Sequence, residues 1–199
     1  MCISNEQSKD PTASSFFRLA AAGEAGLLLL AWALSRWLEV SPLQFIRFTA
    51  PALLWGALAT VPLLLGLVWM LGSELGPVRR LVALVVEQVG PLVSSCSTLE
   101  LGCLAAVAGL SEEVLFRGVI QVGLIRRLPL AAALVAASLI FGLVHSVSRT
   151  YALFAGVMGL YLGALFWWQS SLVPPIIAHG LYDFVALGAV ARRYRDGRS

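Results

Sequence analysis

The chain has 199 residues, 59% of them hydrophobic and 13% charged, with a formal net charge of +3 and a mean hydropathy of +0.85. A soluble domain carries about 25% charged residues, so this composition excludes an ordinary soluble enzyme and points to an all-α, polytopic transmembrane bundle. A crossing helix takes about 20 apolar residues, which gives about six spans here, with room for up to about eight and almost no soluble domain.

In chain order, residues 1–15 are polar and read as an N-terminal tail with no secretory signal. A single transmembrane domain is expected over 16–191, followed by a basic C-terminal tail at 192–199. The first apolar run covers 16–38 and is interrupted by Glu24; the second covers 51–72, with Trp55 and Trp69 near its two ends. Pro62 is tolerable inside a membrane helix. Residues 73–97 have a basic start, a short apolar run, Glu87 and Gly90-Pro91. That is short for a span and reads as an interfacial or re-entrant helix. Further runs cover 99–127, 129–147, 151–168 and 172–191. Gly159 and Gly163 form a small-xxx-small pair suited to close helix approach, as are Gly118 and Gly142, and Trp167-Trp168 reads as part of an aromatic belt. The basic tail puts the C-terminus on the cytoplasmic side, with Arg126-Arg127 running against that bias. Cys2, Cys96 and Cys103 make no disulfide framework and read as small packing residues.

The ionisable residues inside the later runs are few: Glu112, Glu113, Arg117, His145, His179 and Asp183, a set that includes both histidines of the chain. Such groups in a membrane span are costly and mark function by default. They are expected to pair with one another rather than face lipid. Glu113 and Arg117 are i and i+4, which predicts an ion pair on one helical face. Glu112 points about 100° away and is left without a charge partner on its own helix. A carboxylate so placed can serve as a general base. His179 and Asp183 are also i and i+4, so Asp183 could orient the imidazole. His145 follows Phe141 by one turn and meets the others only through folding. Glu24, Glu87 and Glu100 belong to no such pattern and are expected near the interfaces.

The three pieces E-E-V-L-F-R at 112–117, F-G-L-V-H at 141–145 and H-G-L-Y-D at 179–183 resemble the EExxxR, FxxxH and HxxxN/D motifs of the CAAX-protease and bacteriocin-processing family. That family includes the type II CAAX prenyl proteases and bacterial Abi-type proteins. The resemblance covers about residues 95–190, and Asp183 stands where many members carry Asn. It implies an intramembrane endopeptidase acting on a membrane-associated protein or peptide. By this analogy Glu112, helped by His145, activates a water; His179 with Asp183 stabilises the oxyanion; Glu113, Arg117 and Phe141 support the site. Asp183 only accepts hydrogen bonds when ionised, which speaks against its donating to an oxyanion as an amide would. The expectation is no cofactor and no metal, with zinc as the alternative, since two histidines and a glutamate are a legitimate zinc set although no HExxH is present. The expected location is a bacterial inner membrane, the expected partners the bilayer and the peptide substrate, and nucleic acid is not expected. Two other classes use similar residues: a proton-coupled transporter, whose inverted repeats are not visible here, and a non-catalytic immunity or scaffold protein, in which an intact set of reactive residues would be idle.

Overall fold

The computed structural model describes residues 11–197, with side chains from Phe17 onward. Residues 1–10 of the expected polar tail, and Arg198 and Ser199 of the basic one, lie outside the described residues. Helix α1 (Pro11–Trp37) takes in the remainder of the N-terminal stretch. It is followed by a 3₁₀ turn (Pro42–Phe45), α2 (Ala50–Gly72), α3 (Gly76–Val93), α4 (Thr98–Ile125), α5 (Leu130–Val144), α6 (Arg149–Gln169) and α7 (Val173–Arg195). No strand occurs among the described residues.

Among the described residues four helices are long and apolar enough to cross a membrane: α1 over Phe17–Trp37, α2, α6 and α7. Helices α3 and α4 form a fifth, broken unit, bent by 117° where they meet. The sequence suggested about six spans. The count is smaller because α5 has only 15 residues, about 22 Å of helix, and because α4 carries Glu112, Glu113 and Arg117 in its middle. Segment 73–97 forms α3 and the bend into α4. Helix α3 buries Val78, Leu81, Val86 and Val93 and exposes Arg79, Arg80 and Glu87, the profile of a helix lying along an interface.

The outer surface is apolar. Leu29, Trp32, Leu65, Leu139 and Leu153 are each at least 60% exposed. A continuous apolar exterior of this kind needs a lipid environment. Between the helices the contacts are made by small residues, among them Ala59, Ala105, Ala133, Ala155 and Ala178. With lipid outside, close van der Waals packing replaces hydrophobic burial as the force joining helices.

At two positions a glycine brings helix backbones within 3 Å of where a Cβ would stand. A Cβ on Gly109 of α4 would stand 2.9 Å from the Gly180 amide nitrogen of α7, and one on Gly142 of α5 would stand 2.6 Å from the Ala152 carbonyl of α6. These crossings bring α4 onto α7 and α5 onto α6 immediately beside the polar motifs.

The helix ends sort into two faces. At one, the Leu172 amide donates to Phe45, and Arg126 donates to the carbonyls of Leu38 and Glu39. Arg126 therefore has a structural duty that accounts for its place on the less basic face. At the other, Arg193 donates to Leu71 and Arg195 to Ser94, tying the end of α7 to the ends of α2 and α3. Chain connectivity puts Arg79, Arg80, Arg149, Arg192, Arg193 and Arg195 on this second face, and Arg36, Arg47, Arg126 and Arg127 on the first.

Candidate active site

Helix α4 begins with a capping box: Ser97 accepts from the Glu100 amide while the Glu100 carboxylate accepts from Ser97. Glu100 is thus tied to a helix start. The helix is regular through Glu113. From Val114 to Gln121 it takes π geometry, which the even apolar pattern did not signal. Such wide turns gather at functional sites, and this one begins directly after Glu112-Glu113.

Within the wide turn, Arg117 is buried, at 2% exposure, and Glu113 completely so. The guanidinium donates to Glu113 Oε1 at 2.8 Å and to the Gly159 carbonyl of α6 at 3.2 Å. Its Cζ lies 4.5 Å from the centre of the Phe141 ring, in range for a cation–π contact. Four residues on, Gln121 Nε2 donates to the Gly163 carbonyl at 3.0 Å. Gly159 and Gly163, noticed in the sequence as a small-residue pair, therefore leave their carbonyls open to two side chains of α4.

Both histidines are held by Nδ1. His179 Nδ1 lies 2.8 Å from Glu113 Oε1, and His145 Nδ1 lies 2.8 Å from the Phe141 carbonyl. Carboxylate and carbonyl oxygens only accept, so each Nδ1 carries the hydrogen. Each Nε2 is then turned toward Glu112. Glu112 Oε2 stands 3.5 Å from His145 Nε2 and 3.9 Å from His179 Nε2. Asp183 Oδ2 stands 3.4 Å from His179 Nε2. Helical spacing suggested that Asp183 orients His179; the shorter contact, and the one on Nδ1, belongs to Glu113. A single oxygen of Glu113 thus serves both Arg117 and His179, a link across 66 positions that local spacing could not disclose.

Phe141 packs the whole group. Its ring lies 4.4 Å from the His145 ring, 4.9 Å from Phe116 and 6.1 Å from His179. Glu112 Oε2 and Glu113 Oε2 are buried and have no hydrogen-bond partner among the described residues. Leaving such atoms unsatisfied is costly, and a carboxylate oxygen between two imidazole nitrogens is well placed to hold a polar guest.

Glu112 lines a cavity of about 630 Å³. Glu112, His145, His179 and Asp183 line it together with Tyr151 and Tyr182, and the walls are apolar side chains of α2, α3, α6 and α7. Glu24 of α1 lines it too, where the sequence reading had set this residue near an interface. Its oxygen Oε2 is hydrogen-bonded to Ser111, the residue before Glu112. The only signal was that Glu24 interrupts an apolar run. A second, shallower groove between Trp55, Tyr161 and Trp168 contains none of these ionisable residues.

The zinc alternative can be tested on the donor atoms. Nδ1 of each histidine is engaged by a carboxylate or carbonyl oxygen, as the second nitrogen of a zinc-bound imidazole commonly is, and the facing Nε2 and carboxylate atoms lie 3.4–3.9 Å apart. Among the described residues no group of three His, Cys, Asp or Glu side chains is arranged to hold a metal ion. No step below is routed through a metal.

Fold and site together define a multi-pass membrane protein with a carboxylate–imidazole centre at the floor of an apolar cavity. The model of the family described as Type II CAAX prenyl endopeptidase Rce1-like matches residues 94–185, the stretch that holds all three motifs. In this segment the chain is similar to the CAAX-protease family. No curated protein and no solved structure matches the chain. Helices α1 and α2, and with them Glu24, lie outside the matched segment.

Proposed function

We propose that this protein is an intramembrane endopeptidase in which Glu112 and His145 activate a water against a peptide bond of a membrane-associated protein or peptide. The observation that carries the reading is Glu112 Oε2, buried without a hydrogen-bond partner 3.5 and 3.9 Å from two imidazole nitrogens, on a residue that lines the cavity. A water bridging Glu112 and His145 would satisfy that oxygen and be polarised by it. Glu112 takes a proton from the water as the oxygen attacks the carbonyl carbon. The proton then passes to the leaving amine as the carbon–nitrogen bond breaks, so the hydroxyl ends on one product and the hydrogen on the other.

His179, held by Glu113 and next to Asp183, faces the same space and in its doubly protonated form donates to the oxyanion. Glu113 and Arg117 keep that imidazole in place. Apolar walls from α2, α3 and α7 suit a substrate that is itself apolar, such as the membrane-proximal end of a lipid-anchored or single-span protein. The chemistry proposed needs no cofactor. The proposed setting is a bacterial inner membrane, with the arginine-rich face cytoplasmic by the positive-inside rule.

The test is cleavage of a membrane-anchored peptide by the full-length protein reconstituted in vesicles, with Glu112→Ala as the control. Cleavage by the wild type alone is expected. Proton flux without cleavage would replace this reading with that of a transporter.

A further inference from the structure

Glu24 is not used by the mechanism above, yet it lines the same cavity as Glu112, His145, His179 and Asp183. It comes from α1, outside the segment matched by the family model. One oxygen, Oε2, is fixed by Ser111, which is itself completely buried and immediately precedes Glu112. Ser111 also lies within reach of the Val107 and Ala108 carbonyls, which share its single hydrogen with Glu24. The other oxygen of Glu24 has no hydrogen-bond partner, and no cation pairs with the residue, among the described residues.

A carboxylate in an apolar setting is costly unless a donor meets it. A carboxylate oxygen anchored on one side and open on the other is a pre-organised acceptor, and in such surroundings a charge-assisted hydrogen bond is at its strongest. We infer that Glu24 is a substrate-binding residue of this chain, its free oxygen taking an N–H donor of the substrate near the bond to be cut. The donor is a Lys or Arg side chain or a backbone amide. The assignment rests on the peptidase reading of the cavity and adds a specificity determinant supplied by the first helix.

The experiment measures binding apart from cleavage. Full-length protein carrying Glu112→Gln is placed in nanodiscs and titrated with apolar photo-crosslinkable 12-residue peptides. In one set a single Lys is moved along the peptide, each with a norleucine counterpart; in the other, single backbone amides are N-methylated. At one position the donor-bearing peptide should bind about tenfold tighter than its counterpart, roughly the effect of one good polar contact. Adding Glu24→Gln should abolish that preference, and Glu24→Asp should restore part of it. Ser111→Ala frees the carboxylate without removing it, so the preference should weaken there but survive. A role as a mere strut between α1 and α4 would instead make Glu24→Gln and Ser111→Ala weaken all peptides alike, which overturns the assignment. So does a preference that Glu24→Gln leaves unchanged, or the lack of any preference. Cleavage by protein with native Glu112 is read separately. Glu24-dependent binding without cleavage sinks the peptidase reading alone, and cleavage indifferent to Glu24 sinks this inference alone.

Discussion

Replacing Glu113 by Gln removes one charge and almost no volume at the most buried polar point of the bundle. Glu113 is fully buried, and its Oε1 lies 2.8 Å from both Arg117 and His179. At an effective dielectric of about 20, two unit charges about 4 Å apart attract by about 4 kcal/mol. Breaking a buried pair by removing one partner costs about 3–5 kcal/mol, because the other charge is left stranded. Two contacts soften the loss: Arg117 keeps the Gly159 carbonyl and the face of Phe141, and the amide oxygen of Gln still accepts. The expected destabilisation is therefore at the lower end, about 3 kcal/mol. Arg117→Met on top of Glu113→Gln removes the stranded charge and should restore part of the stability, giving a clear coupling in a double-mutant cycle. The assay is reversible unfolding by sodium dodecyl sulfate in mixed micelles, followed by tryptophan fluorescence. A Glu113→Gln protein within about 1 kcal/mol of wild type would refute the view that this ion pair holds the site together.

Asp183→Asn keeps an acceptor beside His179 and adds a donor. Since Nδ1 of His179 is held by Glu113 rather than by Asp183, turnover should stay within about tenfold of wild type; a larger loss would give the carboxylate charge a role of its own. Gly109→Ala sets a methyl 2.9 Å from the Gly180 amide nitrogen, so α4 must move off α7. The expected result is about 1–3 kcal/mol of destabilisation with a fall in kcat, and a fully active, equally stable variant would contradict the packing argument. Purified protein should contain substoichiometric zinc and keep its activity through chelation and metal-free dialysis; activity lost and then restored by one equivalent of zinc would reassign the same side chains as ligands.

Much of this site could be read from the sequence because its pieces are local. Glu113–Arg117 and His179–Asp183 are each one turn apart, and helix periodicity alone brings such pairs together. The apolar runs located α1, α2, α6 and α7 because a membrane span is defined by length and composition. What stayed hidden depends on long-range geometry. The sharing of one Glu113 oxygen by Arg117 and His179 arises from the crossing of α4 and α7 at Gly109 and Gly180. The π turn over Val114–Gln121 adds residues to a helical turn without altering the apolar pattern, so a reading based on 3.6 residues per turn passes over it. Glu24 has no partner at helical spacing on α1; its contact is with Ser111, 87 positions away. Helix α5 ends at Val144, where the His145 ring turns back to the Phe141 carbonyl, short of the Val147 to which the sequence reading had extended it.

The most direct test of the central claim is single-turnover cleavage of a membrane-anchored peptide by Glu112→Gln in reconstituted vesicles. The substitution keeps the size of the side chain and removes its basicity, while the contacts of Glu113, Arg117 and Phe141 are untouched. General-base catalysis contributes about 10²–10⁴-fold. The account predicts a loss in the cleavage step of at least about a hundredfold, with peptide affinity and unfolding midpoint close to those of wild type. Cleavage by Glu112→Gln at the wild-type rate would contradict it, and the base would have to be sought elsewhere in the cavity.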